Sequence, residues 1–153
     1  MPLTPIVMGC GTQELYYGRD VAIAGFGDNT ESGGYGTKRW GETIISSAVT
    51  QDNPGINVGE AGLAGCSGDS GGPAFIQYED GTWHTFGITS GGPPCGQGAD
   101  TYAMPHRWIE WLETESGLDL TPCYDQDGTW NPTADCGDVS MDPLNASTTW
   151  ASR

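Results

Sequence analysis

The stretch Cys66-Ser67-Gly68-Asp69-Ser70-Gly71-Gly72-Pro73 holds the residues best suited to chemistry. A serine set among glycines sits on a tight turn, where no side chain shields the backbone N–H groups. Such groups can point at the oxygen that becomes negative when a carbonyl is attacked. The serine can then act as a nucleophile, provided that a base takes its proton. A Gly-Asp-Ser-Gly string also suits a plain polar turn, and four residues alone do not separate the two readings. Histidine, the commonest base, occurs at His84 and His106, both after Ser70, and residues 1–69 contain none.

The elements around this stretch read as β-structure. The chain has 153 residues, enough for one domain with a modest core, and its 25 glycines and 10 prolines separate short apolar runs. That pattern favours an all-β sandwich or barrel. Residues 19–27 read as a buried strand ending in a glycine-rich turn, and residues 28–39 as a surface loop. Residues 43–49 and 55–61 are short strand candidates. Residues 73–78 and 83–89 flank Glu79-Asp80-Gly81-Thr82, and two β-rich runs around an Asp-Gly turn predict a hairpin. Residues 100–103 read as one more strand. A helix is expected over 105–115, with proline in its first turn and Gly117 to stop it. Its stripe of Trp108, Trp111 and Leu112 is expected to pack against the barrel.

Charge and cysteine use narrow the function classes. Five Lys and Arg against twenty Asp and Glu give a net charge of −15. Such a surface repels phosphate backbones and argues against a nucleic-acid partner. No apolar run approaches the length of a membrane span, and residues 1–10 lack the basic and apolar regions of a secretory signal. The five cysteines, at 10, 66, 95, 123 and 136, form no CxxC pair, so no structural zinc is expected. Widely spaced cysteines point to an oxidising compartment, extracellular or periplasmic, and their odd number leaves one without an internal partner.

The run Gly68-Asp69-Ser70-Gly71-Gly72-Pro73 resembles the nucleophile motif of the trypsin/chymotrypsin family of serine proteases. Val21 to Gly27 resembles the strand that opens the family's second barrel. Phe86-Gly87-Ile88-Thr89-Ser90-Gly91-Gly92 resembles the strand that pairs with substrate backbone, and Tyr102 with the following helix resembles the family's C-terminal part. The resemblance covers about residues 1–118 and implies a six-stranded antiparallel β-barrel, the second of the chymotrypsin-like fold, with one C-terminal helix. It implies a serine endopeptidase acting on polypeptides through an acyl-enzyme on Ser70, without a cofactor. By the same resemblance, the Gly68 and Ser70 N–H groups form the oxyanion hole, and Asp69 is the carboxylate that receives a freed N-terminus on activation. Cys66 and Cys95 form a disulfide bracing the specificity pocket, Ala64 is its floor, and Ser90, Gly91 and Gly92 form one wall. Asp100 falls where the family has a small pocket-lining residue; a carboxylate there can select Arg or Lys, and the alternative is a solvated acid in a shifted loop. Val21 and Ile76 stand where the family has an inter-strand disulfide.

The resemblance also implies what the chain lacks. The family's triad runs His, Asp, Ser along the chain, and its His and Asp come from a first barrel. His84 and His106 are expected on the outside of the barrel, in surface roles. The expected partner is therefore the missing first barrel, from the same precursor or from a second chain, with Cys10 near where an upstream segment can be tethered. The alternative is a catalytically inactive protease-like binding module.

Residues 119–153 read as an acidic tail. Cys123 and Cys136 can close a small loop within it, and the remainder is expected to be disordered. Asp125-Gln126-Asp127-Gly128 with Asp135 and Asp138 only faintly resembles a calcium loop, without the ligand series of an EF-hand. Asn145-Ala146-Ser147 is a formal glycosylation sequon.

Overall fold

The computed structural model describes residues 4–29, 33–50, 52–125 and 127–136. Its strands are β1 (Asp20–Gly25), β2 (Arg39–Ile44), β3 (Gly55–Val58), β4 (Pro73–Gln77), β5 (Trp83–Gly91) and β6 (Asp100–Ala103). A 3₁₀ turn, Pro105–Arg107, precedes the helix α1 (Ile109–Ser116). The strands form one antiparallel sheet in the order β2-β1-β4-β5-β6-β3. The sheet curls until its outer strands meet. Just past β2, Ile45 bridges Val58, the Gly59 N–H donates to the Ile44 carbonyl, and the Ser46 N–H donates to that of Asn57, both at 2.9 Å. The result is the expected all-β barrel with one helix.

Alternation puts one face of each strand inside. Val21 and Ile23 of β1, Ile56 and Val58 of β3, Ala74 and Ile76 of β4, Phe86 of β5 and Tyr102 of β6 share one core with Ile45 and Met104. Val21 and Ile76 thus pack in this core, at the two positions where the resemblance has a disulfide. An N-terminal segment adds to it. Pro5 and Val7 exchange hydrogen bonds with Thr85 on β5, at 2.8 and 2.9 Å, and Val7 is fully buried.

Two elements differ from expectation. The strand expected over 43–49 lies earlier, at Arg39–Ile44, because it alternates as a half-solvated edge with Thr43 as its buried residue. The apolar pair Ile44-Ile45 that marks it in sequence is its end. The helix expected over 105–115 is split at Trp108 into the 3₁₀ turn and α1, and Gly117, with φ 68°, closes it from the left-handed region. Its tryptophans do not pack on the barrel. Trp108 and Trp111 are 47% and 58% exposed, and Ile109 is the residue that α1 buries. Among the described residues, no helix is long and apolar enough to cross a membrane.

The tail up to Cys136 is folded. Cys123 and Cys136 are bonded and buried, and Tyr124 bridges Trp130 in a small antiparallel loop. Residues 137–153, including the stretch expected to be disordered and the sequon at Asn145, lie outside the described residues.

Candidate active site

The serine turn, residues 66–73, is clamped on both sides. Toward β1, the Asp69 carboxylate accepts from the Gly27 N–H at 2.7 Å and from the Cys66 N–H at 2.9 Å. The Asp28 N–H donates to the Ser67 carbonyl at 2.8 Å. Toward β5, the Gly71 N–H donates to the Thr89 carbonyl, and the Gly72 carbonyl accepts from both the N–H and the hydroxyl of Thr89. Gly68 and Gly71 have φ of 92° and 81°, values that side chains rarely tolerate. Between these anchors Ser70 is left exposed, facing a cleft that Phe26, Lys38 and Phe75 also line.

The glycines at the end of β1 have a steric reason. A Cβ at Gly27 would come within 2.6 Å of the Asp69 Oδ1 and 2.7 Å of its backbone N, and one at Gly25 would also strike that carboxylate. The Gly-Phe-Gly spacing is what lets β1 pass the serine turn. Neither the Gly68 nor the Ser70 N–H is taken by another described group. Two backbone donors beside an exposed hydroxyl are the parts needed to hold a developing oxyanion.

Behind Asp69 lies a cavity of about 270 Å³, lined among others by Gly25, Ala64, Gly65, Cys95 and Thr89. Cys66 and Cys95 are disulfide-bonded across its edge. Ser90 falls in a register shift between Thr89 and Gly91, which frees it from the ladder; Ser90, Gly91 and Gly92 are exposed. Asp100 is buried, 4% exposed, between Gly65 and Gly92, and a Cβ on either glycine would collide with its carboxylate. Its Oδ2 has no hydrogen-bond partner. Burial pushes its carboxyl upward, the Gly65 N–H draws it partly back, and the Asp69 charge adds to the rise.

Neither histidine lines the Ser70 cleft, and His84 does not have the surface role expected. His84 is 4% exposed, at the far end of β5, against Tyr78 with ring centroids 4.6 Å apart. Five residues of strand separate it from Thr89, about 16 Å at strand rise. The tail loop, which sequence reasoning did not dock onto the barrel, covers it. His106 sits half-buried below α1, lining a separate cavity with Ile109 and Glu110. Among the described residues, no group of three His, Cys, Asp or Glu side chains is placed to hold a metal ion. Asp125 and Asp127 are instead engaged with Asn131 and Thr129.

The sequence model of the trypsin family, described as "Trypsin", matches residues 4–112. The chain belongs to the trypsin family. Chymotrypsin-C of Bos taurus is 32% identical over 85 residues, covering 52% of this chain and 29% of that protein. Spermosin of Halocynthia roretzi is 51% identical over 49 residues, 31% of this chain and 12% of that protein. Coagulation factor XI of Bos taurus is 38% identical over 55 residues, 35% of this chain and 9% of that protein. The matches therefore span less than a third of these relatives' own length. The family match ends at residue 112, so the tail loop lies outside the trypsin-family part. Sequence reasoning also missed Phe26 and Lys38 beside the trypsin-family serine motif, since both sit in a region read only as turn and loop.

Proposed function

We propose that the chain carries the nucleophile, the oxyanion donors and the specificity pocket of a trypsin-like serine endopeptidase, and works with a polypeptide segment that supplies the base. The observation that carries the reading is the clamped turn: Asp69 fixed from two N–H groups, Ser70 exposed at its tip, and the Gly68 and Ser70 N–H groups uncommitted. In this reading Ser70 Oγ attacks the scissile carbonyl and the two N–H groups hold the tetrahedral oxyanion. The departing amine and the attacking hydroxyl exchange a proton through a histidine of the partner segment. No histidine of this chain can serve, because a base must come within about 3 Å of the serine oxygen.

The cavity behind Asp69 supports a further part of the reading. Asp69 lines it, and its carboxylate can receive a freed α-amino group beside the two N–H groups that already hold the turn. Ala64, Ser90, Gly91 and Gly92 border the substrate pocket, and Asp100 at its back selects an Arg or Lys side chain. Cys10, exposed and outside both disulfides, is available for a link to the same segment. Two disulfides in one small chain support an oxidising, extracellular or periplasmic setting.

Fluorophosphonate labelling, read by intact mass with Ser70→Ala as control, tests the division of labour. The folded chain alone is expected to label no faster than Ser70→Ala. Co-expression with the histidine-bearing first barrel of a trypsin-family relative is expected to switch labelling on at Ser70. Rapid labelling of Ser70 in the chain alone would show that the base lies within it and overturn the proposal.

A further inference from the structure

At the end of the barrel away from Ser70, the tail loop and β5 enclose a second cavity of about 510 Å³. Four rings wall it. Tyr78 lies 4.6 Å from His84 between ring centroids, His84 lies 6.3 Å from Tyr124 and 6.1 Å from Trp130, and Tyr124 and Trp130 stand edge to face at 5.1 Å. Asp80 and Asp127 also line it. The loop is seated by a glycine pair: a Cβ at Gly9 would be 2.5 Å from the Gly128 carbonyl oxygen, and both glycines have positive φ. Close backbone contact of this kind holds the tail rings over the barrel rings.

Three polar atoms of these walls are buried without a hydrogen-bond partner: Nδ1 and Nε2 of His84 and the hydroxyl oxygen of Tyr78. Buried polar atoms are nearly always paired, so the one lone-pair nitrogen of His84 and the Tyr78 oxygen are acceptors left for a donor that enters the cavity. Its chemistry follows from the walls. Ring faces carry negative quadrupole density and attract cations. The neutral imidazole of His84 and the Tyr78 oxygen offer lone pairs to an N–H donor. Asp80 and Asp127 are held in the charged form by hydrogen bonds from Thr82 and Thr129 respectively. No Lys or Arg is among the described lining residues. Arg19, which acts on Tyr78 from nearby, is engaged by Glu14 at 3.5 Å and by the Gln77 carbonyl at 2.8 Å. An anion would meet the two carboxylates, and a purely apolar ligand would leave His84 and Tyr78 unpaired.

We propose that this aromatic cavity binds an organic cation, an alkylammonium group carried by a free amine or by a lysine side chain of a peptide. The site is separate from the Ser70 cleft and does not depend on its chemistry. The rings take the methylene stem and the ammonium, the lone-pair nitrogen of His84 and the Tyr78 oxygen accept from its N–H groups, and the two aspartates draw it in.

The test is an NMR titration of the full chain, following the Trp130 indole N–H, assigned by its loss in Trp130→Phe, and the His84 ring. The probes are n-butylammonium, the peptide acetyl-Gly-Lys-Gly-amide, and n-butanol and butyrate as controls. Saturable shifts with either cation, and none with butanol or butyrate, are expected; the tighter of the two cations tells free amine from peptide side chain. The double variant Asp80→Asn, Asp127→Asn, on the exposed rim, is expected to weaken cation binding about two- to fivefold, as is raising the salt. Equal shifts with butanol would show an apolar cavity only. Absence of saturable shifts with both cations, in a chain whose spectrum is folded, would equally overturn the proposal.

Discussion

At the scale of single residues, the two carboxylates near the serine turn are held in opposite ways. Asp69 receives two backbone N–H bonds, whereas Asp100 is buried with one oxygen unpartnered. Asp69→Ala would strand the Gly27 and Cys66 N–H groups, and bonds to a charged acceptor contribute about 1.5–3 kcal/mol each. A loss of about 3 kcal/mol in urea unfolding is therefore expected, together with loss of any Ser70 labelling in the complex. Asp100→Asn should act the other way at neutral pH. Because burial raises the Asp100 carboxyl, the folded chain prefers it protonated, and stability falls as pH rises through its folded pKa. The amide removes that fall. The variant is expected to melt higher than the parent at pH 7 and to match it below the ordinary carboxylate range. A parallel loss of Arg/Lys preference in the complex would tie the same carboxylate to selectivity.

At the scale of elements, the glycines of β1 carry the most testable geometry. Gly27→Ala places a methyl against the Asp69 backbone and carboxylate, and neither can move without moving the turn. Overpacking of this kind costs about 1–3 kcal/mol. Lower thermal stability and, in the complex, a larger fall in labelling rate than in stability are the expected outcomes. How far the elements were legible depends on what fixed them. The β4–β5 hairpin was readable because its Asp-Gly turn and alternation are local, and β6 because Asp100–Ala103 is a short alternating run. β2 was misplaced because an edge strand with polar outward residues has a weak apolar signal, strongest at its end. The Trp108, Trp111 and Leu112 stripe has helical spacing, but spacing does not say what lies opposite, and in this chain it faces solvent. The serine motif was legible because glycine and serine types report a turn directly. Burial of His84 was not, because it comes from Tyr124 and Trp130, 40 and 46 residues later in the chain.

At the scale of the whole molecule, N-terminal segment, barrel and tail converge on His84, and this makes their assembly sensitive to pH. Burial lowers the His84 imidazole to about 4, with Asp80 opposing that shift from the neighbouring turn, while Tyr78 and Tyr124 face it as neutral rings. A histidine whose folded pKa lies below its unfolded value of about 6.5 contributes stability above that value. The contribution falls away as pH drops from about 6.5 toward 4, because the unfolded chain takes up the proton first. Melting temperature is therefore expected to fall across that window, and His84→Phe, which keeps a ring in place, should flatten the fall. The tail's part separates in a second variant. Cys123→Ser with Cys136→Ser releases the loop that carries Tyr124 and Trp130, so the His84 ring, followed by NMR, should titrate closer to 6.5. If the His84 titration stayed near 4 with the disulfide removed, the barrel alone would account for its burial, and the tail would have no hold on the pH response.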